Sequence, residues 1–227
     1  MSEYCIVCCP RSGSFYYLKQ FAQENDLVNG NEWFGRNKAV DHSAPTELKT
    51  TTVDINWYVN EDLLTDFEIR KRLKHLENFH APYVIKCMPL QLTNTPTRID
   101  LSVEKRLDIA EKILKDFNLI WFQQPDKISH FCFEITAMAC SMPGYPRQRE
   151  FCTYNPNLRK TPETSTFTAS LPRFDKFMFR EEFTSSLMAR LDHEVVSYED
   201  IDKTGVIPYP DYSKIFTNYE EITKWFL

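Results

Sequence analysis

Four short apolar runs, Tyr4 to Cys9, Tyr83 to Met88, Asn118 to Phe122 and Glu194 to Tyr198, are separated by segments whose apolar residues recur at helical spacing. Runs of this length, alternating with amphipathic helices, predict strands that are buried on both faces, which means a parallel sheet covered by helices. The expected fold class is therefore α/β, a three-layer α/β/α arrangement around a mostly parallel sheet. In such sheets ligands gather outside the carboxyl ends of the strands.

The helical segments carry their own signals. Phe15, Leu18 and Ala22, with Tyr17 and Phe21 beside them, form the first stripe. A second spans Asn60 to Asn78. Ser102 is the expected N-cap of a helix running to Asp116, with Leu107, Ala110, Ile113 and Leu114 facing inward. Further helices are expected over Asp126 to Ser141, Phe174 to Arg190 and Tyr219 to Phe226. Asn29 to His42 reads as a polar, turn-rich connection. Residues 143 to 173 lack a period and are rich in Pro, Ser, Thr and Arg, so they read as a long loop or lid. The whole, residues 1 to 227, is expected to be a single domain.

Composition excludes some classes of function. The formal net charge is -5 and no dense Lys/Arg block offsets it, which argues against general nucleic-acid binding. No apolar run approaches the length needed to cross a bilayer. Seven cysteines follow no framework spacing and no secretion leader is evident, so reduced thiols in a cytoplasm are expected. Cys5 and Cys8 have a two-residue gap, yet no second Cys or His pair completes a zinc site. The pattern of Cys5, five residues and Arg11 also matches a phosphatase signature, but its loop would consist of residues that read as strand. Cys5, Cys8 and Cys9 are therefore expected to be buried, inert thiols. The five histidines show no metal spacing, and no metal is expected.

The chemistry concentrates after the first strand, in Pro10-Arg11-Ser12-Gly13-Ser14. A strand, a tight turn and a helix start present amide N–H groups and a helix dipole to an anion. Gly13 permits a positive φ or a close backbone approach, Ser12 and Ser14 add hydroxyls, and Arg11 adds a planar, bidentate charge. An ordinary strand-to-helix turn with a solvated Arg11 is the plain alternative. A Walker-type loop would need a Gly-Lys pair followed by Ser or Thr, and Lys19 already lies inside the helix. Magnesium-dependent nucleotide triphosphatase and kinase chemistry is disfavoured accordingly.

The string Cys9 to Ser14 resembles the 5′-phosphosulfate loop of sulfotransferases, especially the bacterial type that sulfates trehalose. Three further elements resemble that family in the same order: Glu32-Trp33-Phe34 after the first helix; Leu119 to Ala137, with Trp121 and Asp126-Lys127; and Val195-Val196-Ser197-Tyr198-Glu199-Asp200. The resemblance implies a P-loop-like sulfotransferase architecture and a donor, 3′-phosphoadenosine 5′-phosphosulfate (PAPS), whose sulfuryl group passes to a hydroxyl of a carbohydrate or small metabolite. Arg11, Ser12, Gly13, Ser14 and Phe15 would hold the 5′-phosphosulfate. Arg11 would also stabilise charge growing on the bridging oxygen, and Glu32 would be the general base.

The chain departs from the family at the 3′-phosphate. The usual Arg position falls on Gln123 or Gln124 and the usual Ser position near Phe133. Gln123 can donate a hydrogen bond but lacks the charge of a guanidinium. Compensating charge is expected from Arg159 and Lys160, or from Arg147 and Arg149, in the long loop. Trp33, Phe34, Tyr145 and Tyr154 are candidates for stacking on a sugar, with core packing as their default. The alternative to an enzyme is a degenerate, non-catalytic module of the same fold that binds a nucleotide or a protein partner.

Overall fold

A computed structural model describes residues 3–10, 12–34, 65–94, 98, 100–139, 168–201 and 211–227. These fall into two compact units, Met1–Gln123 with Arg180–Tyr198, and Gln124–Phe179 with Glu199–Leu227. The first unit holds a five-stranded, all-parallel sheet of β1 (Glu3–Val7), β2 (Val28–Glu32), β3 (Tyr83–Cys87), β4 (Asn118–Gln123) and β5 (Glu194–Ser197). Their order is β2-β3-β1-β4-β5. The α/β class is as expected, and the sheet is parallel throughout.

Burial follows position in the sheet. β3 is sandwiched between β2 and β1, and all of its residues are buried, which is why it reads as an apolar run interrupted only by Lys86. Cys5 of β1 lies opposite Ile85 and, on its other side, opposite Leu119. The helices of this unit are α1 (Ser14–Glu24), α2 (Asp66–Glu77), the single turn α3 (Leu90–Thr93) and α4 (Val103–Leu114). The long α6 (Leu171–Met188) contributes its second half, from Arg180 onward. Leu107, Ala110, Leu114, Phe183 and Leu187 bury their side chains with Val7, Tyr83 and Ile85 in one core.

One expectation is corrected here. The stretch from Asn29, read as a turn-rich connection, begins with strand β2. Its sequence, Val-Asn-Gly-Asn-Glu, carries no apolar alternation, and it lies at the edge of the sheet with β3 as its partner. It is held instead by backbone ladders and local polar contacts. The Asn29 Oδ1 accepts the Asn31 N–H at 2.9 Å, Asn31 adopts φ 57°, and the register with β3 shifts between Asn29 and Glu32. Gly30 is required for the close approach to β3, since a Cβ there would lie 2.7 Å from Ile85 Cγ2.

The expected cap at Ser102 holds, whereas α2, expected from Asn60, begins at Asp66. Thr65 caps α2 in a reciprocal capping box with Glu68, and the Ser102 hydroxyl accepts the Lys105 N–H at the start of α4. The loop expected over residues 143 to 173 lies mostly outside the described residues; its last residues, Leu171 to Arg173, form the first turn of α6, where Pro172 is well tolerated.

The second unit contains α5 (Lys127–Ala139), the first half of α6 and α7 (Tyr219–Trp225), with a 3-10 turn at Tyr212–Lys214. Its core is aromatic. Phe131 meets Phe174, Phe177, Trp225 and Phe226 in mostly edge-to-face pairs with centroids 5.4 to 6.3 Å apart. Phe133, the position where the family's serine would fall, is half-buried and packs against this cluster.

Candidate functional site

The loop between β1 and α1 is seated on the carboxyl edge of the sheet. β1 and β4 are neighbours, yet the chain leaving β1 runs by way of α1 to β2, whereas the chain leaving β4 returns to the sheet as β5 on the opposite side. Connections that diverge from adjacent strands open a crevice at their carboxyl ends. The Cys9 to Ser14 loop leaves β1 at that point.

Gly13 is the N-cap of α1 and has φ 83°, the left-handed region that favours glycine. A Cβ at this position would lie 2.6 Å from Tyr198 Cε2 and 2.8 Å from Cδ2. The Tyr198 ring is thus the floor under the loop. It is fixed by its own backbone, since the Tyr198 N–H donates to the Gln123 carbonyl at 2.8 Å just beyond the β4–β5 ladder.

The first amides of a helix have no acceptor within it. In α1 the ladder begins with Tyr16 N–H to the Gly13 carbonyl at 3.0 Å. Among the described residues no side chain caps this end, and the first turn carries no acid. Ser12, only 1% exposed, has no hydrogen-bond partner for its hydroxyl among the described residues. Ser14 is also buried, and its Oγ accepts the Cys8 thiol at 3.1 Å. An uncapped helix end beside a buried, unsatisfied hydroxyl is suited to an oxyanion.

Glu32 ends β2, opposite Lys86 of β3. Lys86 Nζ lies 2.8 Å from Glu32 Oε2, with the lysine side chain 9% exposed and the carboxylate 27% exposed. Gln91 of α3 completes the arrangement. Its Nε2 donates to Glu32 Oε1 at 2.6 Å, while its Oε1 accepts the Met88 N–H at 3.2 Å. Both carboxylate oxygens are therefore engaged. Lys86 Nζ also stands 5.9 Å from the centroid of the Phe15 ring, which has Lys19 Nζ at 5.3 Å as well.

Buried thiols surround the loop's origin. Cys8 is fully buried, and burial pushes its thiol up against the opposing pull of Lys86 and of the Ser14 hydrogen bond. Burial raises Cys9 further, and its Sγ points at Thr184 Oγ1, 3.5 Å away. Cys87 is likewise raised by burial and by its neighbour Cys5. Cys5, Cys8 and Cys9 are all free and buried, as expected. No cluster of three or more metal-ligating side chains occurs among the described residues.

The structure thus brings Ser12, Gly13, Ser14, Phe15, Lys86 and Glu32 to one side of the first unit. Gln123 ends β4, half-buried, where its carbonyl holds Tyr198. Arg11, Arg147, Arg149, Tyr145, Tyr154, Arg159 and Lys160 lie outside the described residues. Trp33 and Phe34 are core residues rather than a sugar platform. Trp33 is fully buried, its indole N–H donates to the Arg72 carbonyl at 3.3 Å, and the Arg72 guanidinium donates back to the Trp33 carbonyl at 2.6 Å.

Lys86 and Gln91 were not singled out from sequence. A single charged residue inside the apolar run Tyr83-Val84-Ile85-Lys86-Cys87-Met88 was the available signal, because a buried lysine requires a partner. No protein-family model matches the chain, and no curated protein matches it in sequence. Among the described residues no helix is long and apolar enough to cross a membrane.

Proposed function

We propose that this protein transfers a sulfuryl group from PAPS to a hydroxyl of a carbohydrate or small metabolite. The observation that carries the reading is the uncapped amino end of α1, with left-handed Gly13 against Tyr198 and the buried Ser12 hydroxyl beside it. In this scheme Ser12 to Phe15 bind the 5′-phosphosulfate, joined by Arg11 on the strength of the sequence resemblance. Gln123 would meet the 3′-phosphate as a neutral donor, assisted by Arg159 and Lys160.

The proposed step is a single displacement. The acceptor oxygen forms a bond to sulfur as the bond from sulfur to the bridging oxygen breaks, and that electron pair leaves on adenosine 3′,5′-bisphosphate. The acceptor proton passes to Glu32, which gives it up to solvent after the products depart. Gln91 fixes the orientation of the carboxylate during the transfer.

A thermal-shift comparison of adenosine 3′,5′-bisphosphate, magnesium-ATP and sulfate tests the site. A ligand present at about a hundredfold over its Kd adds about 2.7 kcal/mol to stability. The bisphosphate is expected to stabilise the protein, and Arg11→Ala to abolish the effect; stabilisation by magnesium-ATP alone would overturn the assignment. Sulfuryl transfer from PAPS is then expected to fall at least about a hundredfold in Glu32→Gln.

One observation favours a second reading, a non-catalytic module of the same fold. Glu32 is held by both Lys86 and Gln91, as a structural carboxylate would be. Bisphosphate binding without any turnover, across a panel of polyhydroxylated acceptors, would select it.

A further inference from the structure

Lys86 is a buried cation close to the start of α1, and its charge is bound to Glu32. We propose that an oxyanion bound at the amino end of α1 draws Lys86 away from Glu32, so that filling the anion seat and releasing the carboxylate are one event. This inference rests on the anion seat proposed above and deepens it, since it makes donor occupancy the condition for an available base.

The geometry supplies each component. Lys86 Nζ is 2.8 Å from Glu32 Oε2 and 5.9 Å from the ring centroid of Phe15, the second residue of α1. Lys86 and Glu32 both act on the Cys8 thiol, which itself donates to Ser14, the first residue of α1. The ion pair and the helix start therefore share one electrostatic neighbourhood. Lysine is a point charge on a flexible stem with three donors, so its head group can turn between two acceptors without backbone movement.

Glu32 would not be left adrift by that turn. Gln91 still donates to Oε1 from an amide that the Met88 N–H holds in place. What changes is Oε2, which loses its cation and becomes the proton acceptor. In the empty site Lys86 is masked, and anion affinity is reduced by the cost of unpairing it. A buried charge pair is a high-stakes arrangement, because removing one partner leaves the other uncompensated. A phosphate or sulfate group is the replacement partner that makes the exchange affordable.

The test uses isothermal titration of the full chain with adenosine 3′,5′-bisphosphate and, separately, with inorganic sulfate. Glu32→Gln keeps the shape at position 32 and, through its one oxygen, the acceptor for Gln91, but removes the competing charge and the second acceptor that holds Lys86. It is expected to tighten the bisphosphate by about fivefold or more. The double variant Glu32→Gln with Lys86→Met leaves no unpaired carboxylate, so it isolates the lysine. Relative to Glu32→Gln alone it is expected to lose about tenfold or more in affinity.

Equal affinity of the single and double variants would overturn the proposal, because Lys86 would then be a structural partner of Glu32 only. Unchanged or weaker binding in Glu32→Gln than in wild type would also overturn it. The earlier reading fails differently. If the variants behave as expected but PAPS is never turned over, the exchange stands and the transfer reaction falls. If the bisphosphate binds wild type and the variants do not differ, the anion seat stands and the exchange falls. Absence of binding by both ligands in every variant removes both. Sulfate showing the same ranking as the bisphosphate assigns the effect to the oxyanion itself, while an effect confined to the bisphosphate assigns it to the nucleotide's own phosphate.

Discussion

At the scale of single residues, the turn from β1 into α1 depends on Gly13. Its φ of 83° and the 2.6 Å approach that a Cβ would make to the Tyr198 ring are separate obstacles, one conformational and one steric. Gly13→Ala is expected to cost about 2 kcal/mol or more in urea unfolding. In a Tyr198→Ala background the steric part disappears, and the same substitution should cost about 1 kcal/mol. Equal costs in the two backgrounds would mean that the ring does not constrain the loop. The residues of this loop were legible in the sequence because their signal is local: a strand ends, a glycine follows, and a helical stripe begins. The pairing of Lys86 with Glu32 was not, since it depends on which strands become neighbours and in what register.

At the scale of elements, legibility follows the same division. β1, β3 and β4, inside the sheet, are read from their apolar runs, and so is β5, although it lies at the edge and its residues are exposed or half-buried rather than covered on both faces. β2, on the edge, is written in Asn and Gly and shows no such run. The single turn α3 is too short to display a period, yet it delivers Gln91 to Glu32. α4 starts behind its expected cap, Ser102, whereas α2 begins at Asp66 rather than at Asn60, and the cap of α2 can be weighed directly. In α2 the Thr65 hydroxyl accepts the Glu68 N–H, and the Glu68 carboxylate accepts the Thr65 N–H. Thr65→Ala is expected to destabilise the protein by about 1 kcal/mol. Thr65→Ser retains the acceptor and should cost much less; an equal loss from both would assign the effect to the methyl group instead of the cap.

For the whole molecule, buried thiols and phenols set a limit on the alkaline side. The Cys132 thiol, in the second unit, is pushed by burial and then by Asp126 from 9.0 up to about 12. Tyr17, in the first, is raised by burial and then by Glu194 and Glu24 from 10.0 to about 12. The folded state therefore holds these protons more tightly than the unfolded chain. Their contribution is complete below pH 9 and is lost as the pH rises toward 12. Urea midpoints measured from about pH 8 to about pH 11 should fall progressively, and Cys132→Ala should flatten part of the decline. A level profile would show that these groups titrate alike in both states.

The seat of the β1–α1 loop has a consequence for biosynthesis. Its floor is Tyr198, which follows β5 directly and is tied to Gln123. A nascent chain emerging from the ribosome carries the loop first and receives that floor only when the much later Tyr198 has been added. The turn at Gly13 therefore cannot settle on its floor until Tyr198 has left the ribosome.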